Sequence, residues 1–184
     1  EARGDPFSLS VASAGDVNND GYDDVIVGAC GNNFSAGRAY VFSGKTGDTL
    51  YVFSGEAIGD QLGFSVSTAG DVDFDGFDDV IIGAPYNDGT GSDAGRAYVF
   101  SGLTGDTLYV FSGKAAIDLF GYSTSSAGDV NKDGFSDLII GAIVNDDVAY
   151  EAGQAYVFSG QTGDTLYVFS GAVTNDYFGN SVSS

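Results

Sequence analysis

The sequence predicts an all-β fold: a β-propeller segment of three four-stranded blades plus the first strand of a fourth. Three observations carry that expectation. One unit of 55 to 58 residues occurs three times, and a fourth copy begins near the C-terminus. Each unit holds four short runs rich in Val, Ile, Tyr and Phe, separated by turns of Gly, Asp and Asn. In AYVF and LYVF large apolar residues fill both alternating faces, as in a sheet covered on both sides by neighbouring sheets. No segment sustains a 3.6-residue period, so essentially no helix is expected.

The elements follow the same order in every unit. The first is a polar strand: FSLSVASAG from Phe7, LGFSVSTAG from Leu62, FGYSTSSAG from Phe120. An acidic loop leads into an apolar, β-branched strand, DVIVGAC, DVIIGAP or DLIIGAI. A loop of variable sequence (31–36, 86–94, 144–152) precedes GRAYVFSG at Gly37 and Gly95 and GQAYVFSG at Gly153. The unit closes on TGDTLYVFSG, identical at Thr46, Thr104 and Thr162, whose Thr-Gly-Asp-Thr supplies a hairpin turn. The repeats are thus 1–55, 56–113 and 114–171, with 172–184 opening the fourth.

The acidic loops carry the chemistry. DVNNDGYDD from Asp16, DVDFDGFDD from Asp71 and DVNKDGFSD from Asp129 place oxygen-bearing side chains at positions 1, 3, 5 and 9, with glycine at 6. Alternate residues point the same way, so Asp16, Asn18, Asp20, the Tyr22 carbonyl and Asp24 can converge on one hard cation. The equivalent sets are Asp71, Asp73, Asp75, the Phe77 carbonyl and Asp79, then Asp129, Asn131, Asp133, the Phe135 carbonyl and Asp137. Calcium takes six to eight oxygens in irregular geometry, so three Ca2+ sites are expected. An EF-hand would need an acid at position 12 and a following helix, but Val27, Ile82 and Ile140 stand there inside strand sequence. Asp, Asn and Gly are also ordinary turn formers. That accounts for one loop, but not for carboxylates at fixed positions in three.

Composition limits the function. Of 26 acidic residues, 12 lie in these loops, and the net charge of −20 repels nucleic acid and anionic membranes. No apolar stretch approaches the ~20 residues of a membrane span, so no membrane insertion is expected. With 14 Phe and 11 Tyr the chain can build a core. It has no His, the usual general base, and no nucleophile–base constellation, which argues against catalysis within it. Cys30 occupies the slot of Pro85 and Ile143 and reads as a repeat-to-repeat substitution. The chain opens in mid-repeat and shows no signal peptide.

Phe120-Gly121 and Phe178-Gly179, the Gly83-Ala84-Pro85 end and the intervening DxDxDGxxD together resemble the FG-GAP repeats of the integrin α-subunit propeller and its bacterial relatives. The likeness covers practically the whole chain. Phe7-Ser8 and Leu62-Gly63 replace Phe-Gly, and Gly28-Ala29-Cys30 and Gly141-Ala142-Ile143 lack the proline. The resemblance implies a ring of seven blades, with calcium between the first two strands of a blade and ligands gripped on the opposite face.

Three blades cannot close a ring, and open ends would leave apolar faces uncovered, among them Tyr40, Phe42, Tyr156 and Phe158 or their strand neighbours. Phe7 and Phe178 stand in one phase, so head-to-tail packing with further repeats, from the same protein or from other copies, is expected. The function anticipated is an extracellular, non-enzymatic scaffold or adhesion module, with a protein or glycan ligand. The alternatives are a propeller lectin with sugar pockets between blades and an accessory domain of a secreted hydrolase. Variable loops are where specificity can reside. Arg3-Gly4-Asp5 falls in register with Gly59-Asp60, so only Arg3 is new, and a single sequon at Asn33-Phe34-Ser35 is a short pattern. Asp60, Asp118 and Asp176, like Asp48, Asp106 and Asp164, recur as turn residues.

Overall fold

The computed structural model describes residues 10–184. Arg3-Gly4-Asp5 and the Phe7 start of the first strand lie outside the described residues. The first sheet comprises β1 (Ser10–Gly15), β2 (Asp24–Ala29), β3 (Arg38–Phe42) and β4 (Thr49–Ser54). The second comprises β5 (Ser65–Gly70), β6 (Asp79–Ala84), β7 (Arg96–Phe100) and β8 (Thr107–Ser112). The third comprises β9 (Phe120–Gly128), β10 (Asp137–Ala142), β11 (Gln154–Phe158) and β12 (Thr165–Ser170). Each is an antiparallel meander with its strands in chain order, which is the form of a propeller blade.

Register breaks where the first strand of each blade hands over to the acidic loop, between Ser13 and Gly15 and between Thr68 and Gly70. Such a bulge bends the chain out of the ladder and into the turn. The loop therefore sits at one rim of the blade, beside the hairpin turn that joins the third and fourth strands. The variable loop and the linker to the next blade lie at the other rim.

The blades stack face to face. One core joins Ile26, Val41 and Phe53 of the first sheet to Val66, Val80, Ile82 and Tyr98 of the second. The other joins Ile81, Val99 and Phe111 of the second to Leu138, Ile140 and Tyr156 of the third. The same aromatic pair marks both seams: Phe53 stacks on Phe100 at 4.1 Å, and Phe111 on Phe158 at 4.3 Å. The Gly-Ala end of each second strand also belongs to a seam. A Cβ on Gly83 would lie 2.0 Å from the carbonyl oxygen of Gly121, so the Phe-Gly turn of the next blade rests directly on a strand without a side chain there.

Three expectations need adjustment. Two-faced burial holds for the inner strands of the second blade, where all six residues of β6 are buried, while Val25 of β2 is exposed on the open face of the first. On the outermost strands it fails: Val52 and Val110 are about half exposed, because only the Tyr51/Phe53 and Tyr109/Phe111 faces are covered by the next blade. One helical turn, α1 (Asn32–Ser35), forms in the first variable loop. The first strand of the fourth blade is present only as a bridge between Phe178 and Gly153, matching the Leu62–Gly37 and Phe120–Gly95 bridges. A first strand takes its ladder from the second strand of its own blade, as β9 does from β10. Residues 178–184 have no such partner here. Among the described residues no helix is long and apolar enough to cross a membrane.

Candidate metal centre

Each acidic loop is first a set of turns. The position-1 carboxylate caps the loop: Asp16 accepts from the N–H groups of Asp20 (2.9 Å) and Gly21 (2.8 Å). Asp71 does the same for Asp75 and Gly76, and Asp129 for Asp133 and Gly134. The position-5 carboxylates accept from the N–H of position 7: Asp20 from Tyr22, Asp75 from Phe77, Asp133 from Phe135. Positions 4 and 6 take the left-handed conformation, at φ 63° for Phe74 and 89° for Gly76. That path turns the odd-numbered side chains inward.

Position 9 is different in kind. Asp24, Asp79 and Asp137 are buried to within 1% of complete enclosure, and both carboxylate oxygens are engaged. One oxygen of Asp79 accepts from Val72 N–H within the loop at 2.9 Å, the other from Gly102 N–H at the end of β7 at 3.0 Å. Asp24 bridges Val17 and Gly44 likewise, and Asp137 bridges Val130 and Gly160. The residue thus ties the loop to the next hairpin of its own blade. Burial pushes the Asp79 carboxyl up to about 7, with repulsion from Asp73 and Asp75 adding to the rise. Burial likewise raises Asp24 and Asp73 above the usual carboxylate range.

Of the predicted ligands, Asp71, Asp73 and Asp79 converge, with one oxygen of each within 4.8 Å of the others. Among the described residues no other three carboxylates meet so closely. Asp75 stands outside that trio, and in the flanking loops Asn18 and Asn131 replace the position-3 acid. Tyr22, Phe77 and Phe135 enter the loop geometry through their N–H groups. In the first loop the Asn18 side-chain oxygen is buried and accepts no hydrogen bond. A buried acceptor without a donor is what a cation would satisfy. The donor set is all oxygen, so the residues fit a hard divalent ion.

Two sets of residues at the seams escaped the sequence. Tyr51 of β4 donates its hydroxyl to the carbonyls of Gly102 (2.7 Å) and Leu103 (3.1 Å) in the next blade, and Tyr109 does so to Gly160 and Gln161. At the opposite rim Asn87 donates to the buried Asp60 at 2.8 Å, and Asn145 to Asp118 at 3.1 Å. The signal for the asparagines was available: Asn32, Asn87 and Asn145 hold one position inside loops that otherwise differ. Asp60 and Asp118 are turn residues as expected, capping Ala57 and Ala115; the asparagines thereby hold to their own blade a linker whose Leu62 or Phe120 N–H bonds the preceding blade at Ala36 or Ala94. Arg96 reaches Glu56 at the same rim, at 2.9 Å.

Comparison with known proteins converges on these loops and strands. The model of the FG-GAP repeat matches three times, at residues 7–42, 62–100 and 120–158. Among curated proteins the chain is 36% identical to integrin alpha-5 of Xenopus laevis over 85% of its length, and 39% identical to integrin alpha-PS5 of Drosophila melanogaster over 59%. Integrin alpha-3 of Cricetulus griseus is 30% identical over 74% of the chain. The chain spans 15%, 11% and 14% of those proteins. Among solved structures, a rhamnogalacturonan lyase, YesW, aligns with a TM-score of 0.54 over 89% of this chain and 34% of its own, at 18% identity. That likeness is one of fold.

Proposed function

Because the chain belongs to the FG-GAP repeat family, we propose that it is a non-enzymatic, extracellular adhesion or scaffold module whose blades are held by three calcium ions. The observation that carries the proposal is the convergence of Asp71, Asp73 and Asp79 in a loop that recurs in each blade. Asp16, Asn18, Asp20, Tyr22 and Asp24 hold the first ion. Asp71, Asp73, Asp75, Phe77 and Asp79 hold the second, and Asp129, Asn131, Asp133, Phe135 and Asp137 the third. The ion supplies positive charge where carboxylates otherwise repel one another. The loops hold their shape through capping bonds, and position 9 transmits it to the hairpin behind. The second loop, with four carboxylate ligands against three in each neighbour, binds most tightly. Calcium titration by calorimetry and thermal unfolding with and without EDTA test the reading. Three sites and a midpoint that falls on chelation are expected, and an unchanged midpoint refutes the structural role.

The module works among further blades of the same kind. Each internal seam joins a face of the Phe53/Phe111 type to a face of the Val66/Tyr98 type. The chain is left with one of each: Tyr167 and Phe169 about half exposed on the third blade, Val11 and Val25 exposed on the first. Those two faces complement each other, which supports head-to-tail packing with repeats of this protein or of another copy. A groove beside Ile139, Ala155 and Phe169 lies where the next blade would seat. The variable loops, on the rim away from the ions, are the surface offered to a protein or glycan ligand.

A further inference from the structure

The position-9 carboxylate reaches beyond its own loop. Asp79 accepts from Gly102 N–H, while the carbonyl of that same glycine accepts from Tyr51 of the preceding blade. Asp137, Gly160 and Tyr109 repeat the relay one blade later. Asp24 is bonded to Gly44, but among the described residues no tyrosine of an earlier blade holds that glycine. Gly102 has no freedom to compensate: a Cβ there would lie 2.1 Å from the carbonyl of Asp78 and 3.1 Å from that of Val17 in the previous blade's loop. The loops also touch directly. Asp78 accepts from Asp16 N–H at 2.9 Å and donates its own N–H to the Asp16 carbonyl, and the Phe74 ring lies 5.4 Å from Phe135.

Resting on the calcium reading above, we infer that Tyr51 and Tyr109 are positioning residues for the cation sites of the following blades. Each tyrosine fixes the glycine that orients the position-9 ligand, so a loop binds calcium more tightly when the preceding blade is docked. By linkage, calcium then tightens that same seam. Among the described residues no tyrosine gives the first loop this support. The hydroxyl acts through one glycine, two bonds from the carboxylate, and its loss leaves the stacked ring in place.

Calcium titrations of the whole chain, followed at the backbone N–H resonances of Gly21, Gly76 and Gly134, resolve the three sites. Tyr51→Phe is expected to weaken binding at the Gly76 site about five-fold, the worth of one hydrogen bond, and to leave Gly134 unchanged. Tyr109→Phe has the reverse pattern, and Tyr167→Phe, which faces no later blade here, alters neither. Unchanged affinity at Gly76 in Tyr51→Phe overturns the inference while leaving the metal reading intact. Equal weakening at all three sites also overturns it, since that is general loosening of the fold. If the wild-type chain shows no calcium-dependent shift at any of the three glycines, the metal reading fails and the inference falls with it.

Discussion

At the scale of single residues, the loops divide into acids that build and acids proposed to bind. Asp79 is fully enclosed and satisfies two backbone donors, whereas the exposed Asp73 accepts from Asp75 N–H within its own turn. Replacing Asp79 by Ala leaves Val72 and Gly102 without acceptors, so it is expected to cost about 2–4 kcal/mol even in EDTA. Asp73→Asn is expected to change stability in EDTA by less than about 0.5 kcal/mol and to lower the melting temperature only in calcium. Urea unfolding of both variants, with calcium and with EDTA, separates the two roles. Spacing alone made the convergence of Asp71, Asp73 and Asp79 legible, since oxygen-bearing side chains at 1, 3, 5 and 9 are written in the sequence. The division of labour was not legible. Nothing in DVDFDGFDD says that its last acid also reaches Gly102, 23 residues away.

At the scale of elements, the strands were readable and the seams were not. Val, Ile, Tyr and Phe runs marked three strands of each sheet, because β-branched and aromatic residues suit a pleated surface, and the polar first strand was marked by its recurrence. What lay beyond pattern was contact between segments far apart in the chain. Tyr51 reads as one more core aromatic until its hydroxyl is seen on the next hairpin, and Asn87 reads as loop sequence until it meets Asp60. Asn87→Ala removes a donor from a carboxylate that is only 4% exposed and is expected to cost about 1–3 kcal/mol in urea unfolding. Gly83 tests the other side of the seam. Gly83→Ala must displace the Gly121 backbone and is expected to cost about 1–3 kcal/mol. Gly47→Ala, at a hairpin tip with open space around it but φ of 76°, carries only the backbone penalty of about 1 kcal/mol. Comparable losses for the two glycines would mean that the close approach at Gly83 is not what sets its identity.

At the scale of the whole molecule, the repeat makes two unlike faces and leaves one of each uncovered. A single aromatic side chain is worth about 1.5–3 kcal/mol on burial, and the third blade shows Tyr167 and Phe169 together. Sedimentation at tens of micromolar is expected to show species larger than the 18.8 kDa chain, and Phe169→Glu to return it to monomer. A monomer throughout that range contradicts head-to-tail packing. Each internal seam, meanwhile, is pinned at both rims: by Tyr51 or Tyr109 beside the acidic loops, and at the far end by the linker, whose Leu62 or Phe120 N–H bonds the blade before at Ala36 or Ala94 while its Asp60 or Asp118 is held by Asn87 or Asn145 of the blade after. A plate fastened at two ends resists rocking as well as sliding, so neighbouring blades turn as one body under load. On the proposed calcium coupling, withdrawing the ion is expected to slacken one fastening and spare the other. The array should then open like a hand fan about its far rim, acquiring compliance in a single direction while keeping its length.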